Sequence, residues 1–159
     1  MRKFHRAIKD FDKAIEIDPN YAKAYLWRGF AYCDLTKYRE AIKDFSKVIE
    51  LNPDDADVYY LRGSVYSFLN EYDKAIEDFN IAIALNPNHI FAYFGRGGAY
   101  FALKEYDKGI IDLKMACNMG FELACRFAED FEKMEKLKEE LQELQLKLKV
   151  LEKLLQRYK

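Results

Sequence analysis

Residues 38–54 read YREAIKDFSKVIELNPD, and the same pattern returns at 72–88 as YDKAIEDFNIAIALNPN. A third version, FHRAIKDFDKAIEIDPN, occupies residues 4–20, so that Pro19, Pro53 and Pro87 stand 34 residues apart. Within 38–54 the apolar residues Tyr38, Ala41, Ile42, Phe45, Val48 and Ile49 keep the three-and-four spacing of one helix face. Asn52-Pro53 then stops the helix, because the residue before a proline is driven out of the helical region. The period runs on through other positions. Phe4, Tyr38, Tyr72 and Tyr106 share one aromatic place; Ala7, Ala41, Ala75 and Gly109 a small one; Phe11, Phe45, Phe79 and Leu113 a large one. Self-similarity of this kind marks a repeat architecture, in which each unit buries its apolar face on the next.

A second helical pattern lies between these segments. Gly29, Gly63 and Gly97 recur in it, flanked by Tyr25, Tyr59 and Tyr93 on one side and Tyr32, Tyr66 and Tyr100 on the other. A glycine inside a helix costs about 1 kcal/mol against alanine. Its return in register predicts a facing helix too close for a side chain, with the small Ala/Gly set opposite. The run Tyr25, Gly29, Tyr32, Ala41, Phe45, Val48, Pro53 is repeated as Tyr59, Gly63, Tyr66, Ala75, Phe79, Ala82, Pro87. It returns less faithfully as Tyr93, Gly97, Tyr100, Gly109, Leu113, Ala116, with Phe121 where proline is due. Over residues 1–121 the chain resembles the tetratricopeptide repeat (TPR) family. The resemblance implies an all-α TPR solenoid: antiparallel helix pairs stacked into a right-handed superhelix with a concave groove. On that register 1–20 is the second helix of a repeat, 21–54, 55–88 and 89–121 are full repeats, and 122–159 is a long capping, coiled-coil-like helix.

Composition narrows the function. A formal charge of −1 gives no general pull toward nucleic acid or an anionic membrane surface, so neither is expected as a partner. No apolar run is long enough to span a bilayer. The N-terminal stretch MRKFHRAIKDFDKAI carries charges throughout and does not read as a signal peptide. Cys33, Cys117 and Cys125 are odd in number and form no CxxC pair. They read as packed thiols in a reducing, cytoplasmic setting, although Cys117 and Cys125 flank a turn that could bring them together.

The C-terminal segment changes character. Gly120 suits a helix C-cap, and a new helix without Gly or Pro follows. Phe127, Met134 and Leu137 keep the repeat register of Tyr93, Tyr100 and Leu103, but Phe131 falls at the glycine position, where it obstructs a close second helix. Beyond it, Leu137, Leu141, Leu144, Leu148, Leu151, Leu155 and Tyr158 alternate steps of four and three, the seam of a coiled coil. Leu146, Val150 and Leu154 widen the stripe. Residues 129–143 hold seven acids and three bases, and residues 147–159 five bases and one acid. An antiparallel pair lays acidic halves on basic ones, so the expected association is a homo-oligomer through this helix, antiparallel. The ends are also complementary: a second helix opens the chain and a first helix closes it, so head-to-tail contacts would extend or close a ring.

Candidate binding residues follow from the register of the concave side: Lys23, Leu26 and Phe30 in the first repeat, Tyr60, Ser64 and Phe68 in the second, Phe91, Phe94 and Phe101 in the third. Cys33, Asp34, Asp57, Ser67 and Gly98 share that side. Several large apolar groups, each contributing about 1.5–3 kcal/mol when buried, suit a peptide or helix ligand. The family's clamp for acidic chaperone tails uses groove asparagines, and Phe30, Ser64 and Gly98 stand in those places. That role is not supported. Arg28, Arg62 and Arg96 precede the glycines while Asp10, Asp44, Asp78 and Asp112 recur on the second helices, which predicts a ladder of ion pairs rather than a carboxylate-binding row. His5 and His89 stand far apart, Asp54-Asp55 reads as a turn and cap, and no phosphate loop, metal cluster or nucleophile motif occurs. The sequence thus reads as a non-enzymatic protein-interaction scaffold without cofactor or metal, binding a protein or peptide partner. The alternative is a structural protein whose complementary ends and C-terminal helix drive self-assembly.

Overall fold

The computed structural model describes residues 2–157, all of whose regular elements are α-helices. In chain order they are α1 (Arg2–Ile17), α2 (Ala22–Asp34), α3 (Tyr38–Leu51), α4 (Ala56–Phe68), α5 (Tyr72–Leu85), α6 (Ile90–Ala102), α7 (Tyr106–Asn118) and α8 (Glu122–Arg157). Each helix packs on the next, most closely within the pairs α2/α3, α4/α5 and α6/α7. The molecule is the expected all-α solenoid with a long terminal helix. Its core is strung along the stack in clusters around Phe45, Phe79 and Leu113, as befits units that touch only their neighbours.

Two kinds of turn set the zigzag. Within each pair the chain closes on a residue in the left-handed region: Thr36 (φ 57°), Asn70 (φ 58°) and Lys104 (φ 63°). In the first, Lys37 N–H donates to Tyr32 O and Thr36 N–H to Cys33 O, both at 2.8 Å, so the helix's last carbonyls are satisfied. Between pairs, Asn52 and Asn86 are extended before their prolines. After α7 there is no proline. Gly120, at φ 94°, repeats the within-pair turn instead, with Phe121 N–H on Ala116 O at 3.1 Å. Gly120 stands just past the C-cap Met119, where the sequence indicated that α7 ends.

The glycines mark close approaches, though mostly to a different partner from the one expected. A Cβ at Gly29 would lie 2.7 Å from the Phe45 ring, and one at Gly63 2.9 Å from Phe79. Only at Gly97 is a small residue the nearest neighbour, the Gly109 carbonyl at 3.1 Å. In the first two pairs the large aromatic of the second helix, not the alanine beside it, therefore takes up most of the space the glycine leaves.

The ion-pair ladder is present. Arg28 donates two bonds to Asp44, at 2.8 and 2.6 Å, and a third to Asp12 at 2.7 Å. Arg62 does the same to Asp78 and Ser46, and Arg96 to Asp112 and Asn80. Each guanidinium thereby ties its own pair to the second helix of the preceding one. Asp44, Asp78 and Asp112 are buried, and bonding to them holds Arg28, Arg62 and Arg96 above the usual arginine range.

The cysteines correct the reading of packed thiols. Cys117 in the last turn of α7 and Cys125 in the first turn of α8 form a disulfide, with Cα atoms 4.6 Å apart. The Gly120 turn folds these helix ends onto each other, which spacing alone does not reveal. Cys33 stays free, and burial, with a smaller contribution from Asp34, pushes its thiol up to about 11. Among the described residues no helix is long and apolar enough to cross a membrane.

Helix α8 docks its first turns on α7 through Ala124 and Ala128, both buried. It then runs on as one helix of 36 residues, about 54 Å at 1.5 Å per residue. From Leu137 to Leu155 every seam leucine is exposed, so the tail does not fold back into the groove. Tyr158, the last seam position, lies outside the described residues.

Candidate functional site

The groove candidates separate into three places. Leu26 and Phe30 are half-buried against the first core cluster, Phe30 with its edge on Phe45 at 5.7 Å, and Lys23 is exposed nearby. Tyr60 of α4 packs on Phe79, His89 and Phe91, while the Ser64 hydroxyl donates to Tyr60 O at 2.8 Å and is thereby engaged within its own helix. Phe68 is exposed and stacks on Tyr38. Phe91 continues the aromatic row to Phe121 of the α7–α8 turn.

Phe94 and Phe101 form part of something more enclosed. Between α6 and α8 opens a cavity of about 400 Å³ lined by Phe94, Gly98, Phe101, Leu113, Phe127, Asp130, Phe131 and Met134. Phe94 meets Phe121 edge-on at 4.9 Å and Phe127 at 6.2 Å, and Phe101 meets Phe131 at 5.1 Å. A Cβ built on Gly98 would touch nothing within 4 Å, so this glycine leaves space rather than making a contact. Asp130 is the one charged group of the described lining. It is mostly exposed, with Lys133 at 3.7 Å.

Of the cavity's lining, Phe94, Gly98 and Phe101 belong to the concave-side register, whereas Phe127, Asp130, Phe131 and Met134 do not stand out in the sequence as binding residues. Phe131 reads as an obstruction because glycine is due there. In the fold its ring turns onto Phe101 and Tyr106 and becomes a wall. The usable signal was the register itself, which puts Phe127, Asp130 and Phe131 one repeat beyond Tyr93, Arg96 and Gly97. His89 is structural: buried, its Nδ1 accepts from Ala92 N–H at 3.1 Å and caps α6. Asp55 caps α4 by accepting from Asp57 N–H. Among the described residues no group of three or more His, Cys, Asp or Glu side chains could hold a metal.

Stacked antiparallel helix pairs with an apolar recess on the side of the first helices define a helical-repeat binding scaffold. The chain belongs to the tetratricopeptide repeat family: the Tetratricopeptide repeat profile matches residues 56–89, and the TPR repeat profile residues 3–35 and 31–67. Among solved structures it is similar to that of MamA, at 29% identity over 86% of this chain and 81% of that one, with a TM-score of 0.79. It is also similar to the first TPR of Spaghetti (RPAP3) bound to the HSP90 peptide SRMEEVD: 28% identity over 72% and 93%, TM-score 0.67. The Arabidopsis OM64 TPR domain shares the fold at 21% identity over 72% and 95%, TM-score 0.68. No curated protein matches the chain by sequence.

Proposed function

We propose that this chain is a non-enzymatic scaffold that docks an amphipathic helix or peptide on its first-helix face, with the α6–α8 cavity taking the principal apolar anchor, and that α8 adds tail-mediated association. The observation that carries the reading is the cavity: an open apolar recess walled by four phenylalanines, with a glycine leaving room at its floor. Burying one large apolar side chain there contributes about 1.5–3 kcal/mol. Asp130 at the rim favours a ligand with a basic residue beside its anchor.

An acidic peptide such as the one bound by the RPAP3 domain fits less well. The cavity offers it a carboxylate, and the arginines of the ladder are already engaged. The cytoplasmic expectation rested on unpaired thiols, and the Cys117–Cys125 bond removes that support.

Self-assembly by continuing the repeat from the end of one copy to the start of the next is disfavoured by two residues. In that register Asp130 would meet Asp10 where Arg28 meets Asp44, and Phe131 would meet Phe11 where Gly29 meets Phe45. A two-point ion pair becomes two carboxylates, and a close contact becomes an overlap.

The test is selection of helical peptides from a display library on the full chain carrying Leu144→Asp and Leu148→Asp, which silence the tail seam. Selected peptides are expected to lose at least tenfold in affinity on Phe94→Asp and to keep it on Ile111→Asp, an exposed position of α7 outside the cavity. Binding unaffected by Phe94→Asp would overturn the reading.

A further inference from the structure

The cavity and the tail seam are one surface. On α8 the wall residues Phe127, Phe131 and Met134 run into Leu137, Leu141 and Leu144 at helical spacing, so the stripe facing α6 becomes the exposed stripe of the projecting segment without a break. Its leucines are between 44% (Leu154) and 67% (Leu155) exposed. A helix laid along the seam therefore meets the cavity at its root.

We infer that the occupant is a second copy of this chain: the two α8 helices pair antiparallel, and the tip of each, through Leu151, Leu154 and Leu155, seats in the other's cavity. The inference rests on the reading of the cavity as a docking site for an apolar helix, and it names the partner. Register follows from the seam. In antiparallel helices core positions alternate across the pair, which allows Leu141 on Leu144, Leu137 on Leu148 and Met134 on Leu151. Leu155 then lies over Asp130 and Phe131, at the cavity mouth. In this register Glu140 of each copy flanks Lys147 of the other. One heptad further out, Lys147 would flank Lys147 and the cavity would be left uncovered. One heptad further in, Glu140 would flank Glu140. The outer alignment also sets Lys138 of each copy beside Glu152 of the other, so apolar coverage of the cavity selects against it, while like charge selects against the inner one.

A parallel pair does neither: its tips would point away, about 30 Å from the cavity at 1.5 Å per residue. Self-association and capture of a foreign helix then use the same recess, so each displaces the other, and ligand binding becomes dependent on protein concentration.

The experiment is light scattering behind size exclusion over a concentration series, on the full chain and two variants. Gly98→Trp fills the cavity from its floor, where a side chain meets open space; Leu144→Asp with Leu148→Asp breaks the seam. The expected result is a dimer for the unaltered chain, a monomer for the seam variant, and at least a tenfold weaker dimer for Gly98→Trp at unchanged helix content. A Gly98→Trp dimer as tight as the unaltered one overturns tip insertion, and a monomer throughout the series overturns the second copy as occupant. Neither outcome touches the docking of a foreign helix, which is tested separately on the seam variant.

Discussion

Two glycines in this chain do opposite work, and alanine tells them apart. Gly29 sits against the Phe45 ring, where an added Cβ would lie at 2.7 Å, so Gly29→Ala is expected to destabilise by about 1–3 kcal/mol through overpacking. Gly98 faces the open cavity, so Gly98→Ala removes the glycine penalty at no steric cost and is expected to stabilise by about 1 kcal/mol. Chemical denaturation of the two variants reads both signs. The ladder gives a larger effect. Arg62→Met leaves Asp78 buried without the guanidinium that holds both its oxygens, and is expected to cost about 3–5 kcal/mol by the same measurement. Cys33 is expected to resist alkylation at neutral pH and to react readily only as pH nears the raised thiol value of about 11, read by mass spectrometry across a pH series.

At the scale of the elements, the α7–α8 junction carries the interest. Elsewhere a proline separates one repeat from the next; here Gly120 folds the chain back and Cys117–Cys125 closes the turn. The bond fixes the root of α8, and so the wall of the cavity formed by Phe127 and Phe131. With eight residues of separation the crosslink contributes about 2–3 kcal/mol by loop closure. Reduction, or Cys117→Ser, is expected to lower stability by that amount and to loosen α8 before the rest. Hydrogen exchange localised to residues 121–136 checks it. The helices themselves were legible because buried positions at three-and-four spacing and the prolines between them act locally. The disulfide was not, because it depends on the left-handed turn at Gly120 rather than on any cysteine motif.

Across the whole molecule, the repeat frame makes the stack nearly readable from Tyr, Gly, Ala and Pro positions, while the proposed site lies where that frame breaks. Phe131 for glycine, Asp130 for arginine and Phe121 for proline are each a departure from the pattern, and all three gather around the α6–α8 recess. Sequence alone shows the departures but not that a ring turned onto Phe101 makes a wall, since that depends on how far α8 stands from α6. The same substitutions oppose a further repeat and leave an apolar recess in its place, the proposed docking surface.

The most direct test of that account uses the methionines as reporters. Met134 lines the cavity, whereas Met115 and Met119 sit on the α7 side. With methyl-labelled methionine in the seam variant, titration with a selected helical peptide is expected to move the Met134 resonance and leave Met115 and Met119 in place. A peptide that binds without disturbing Met134 would contradict the claim that the recess is where this protein takes hold of its partner.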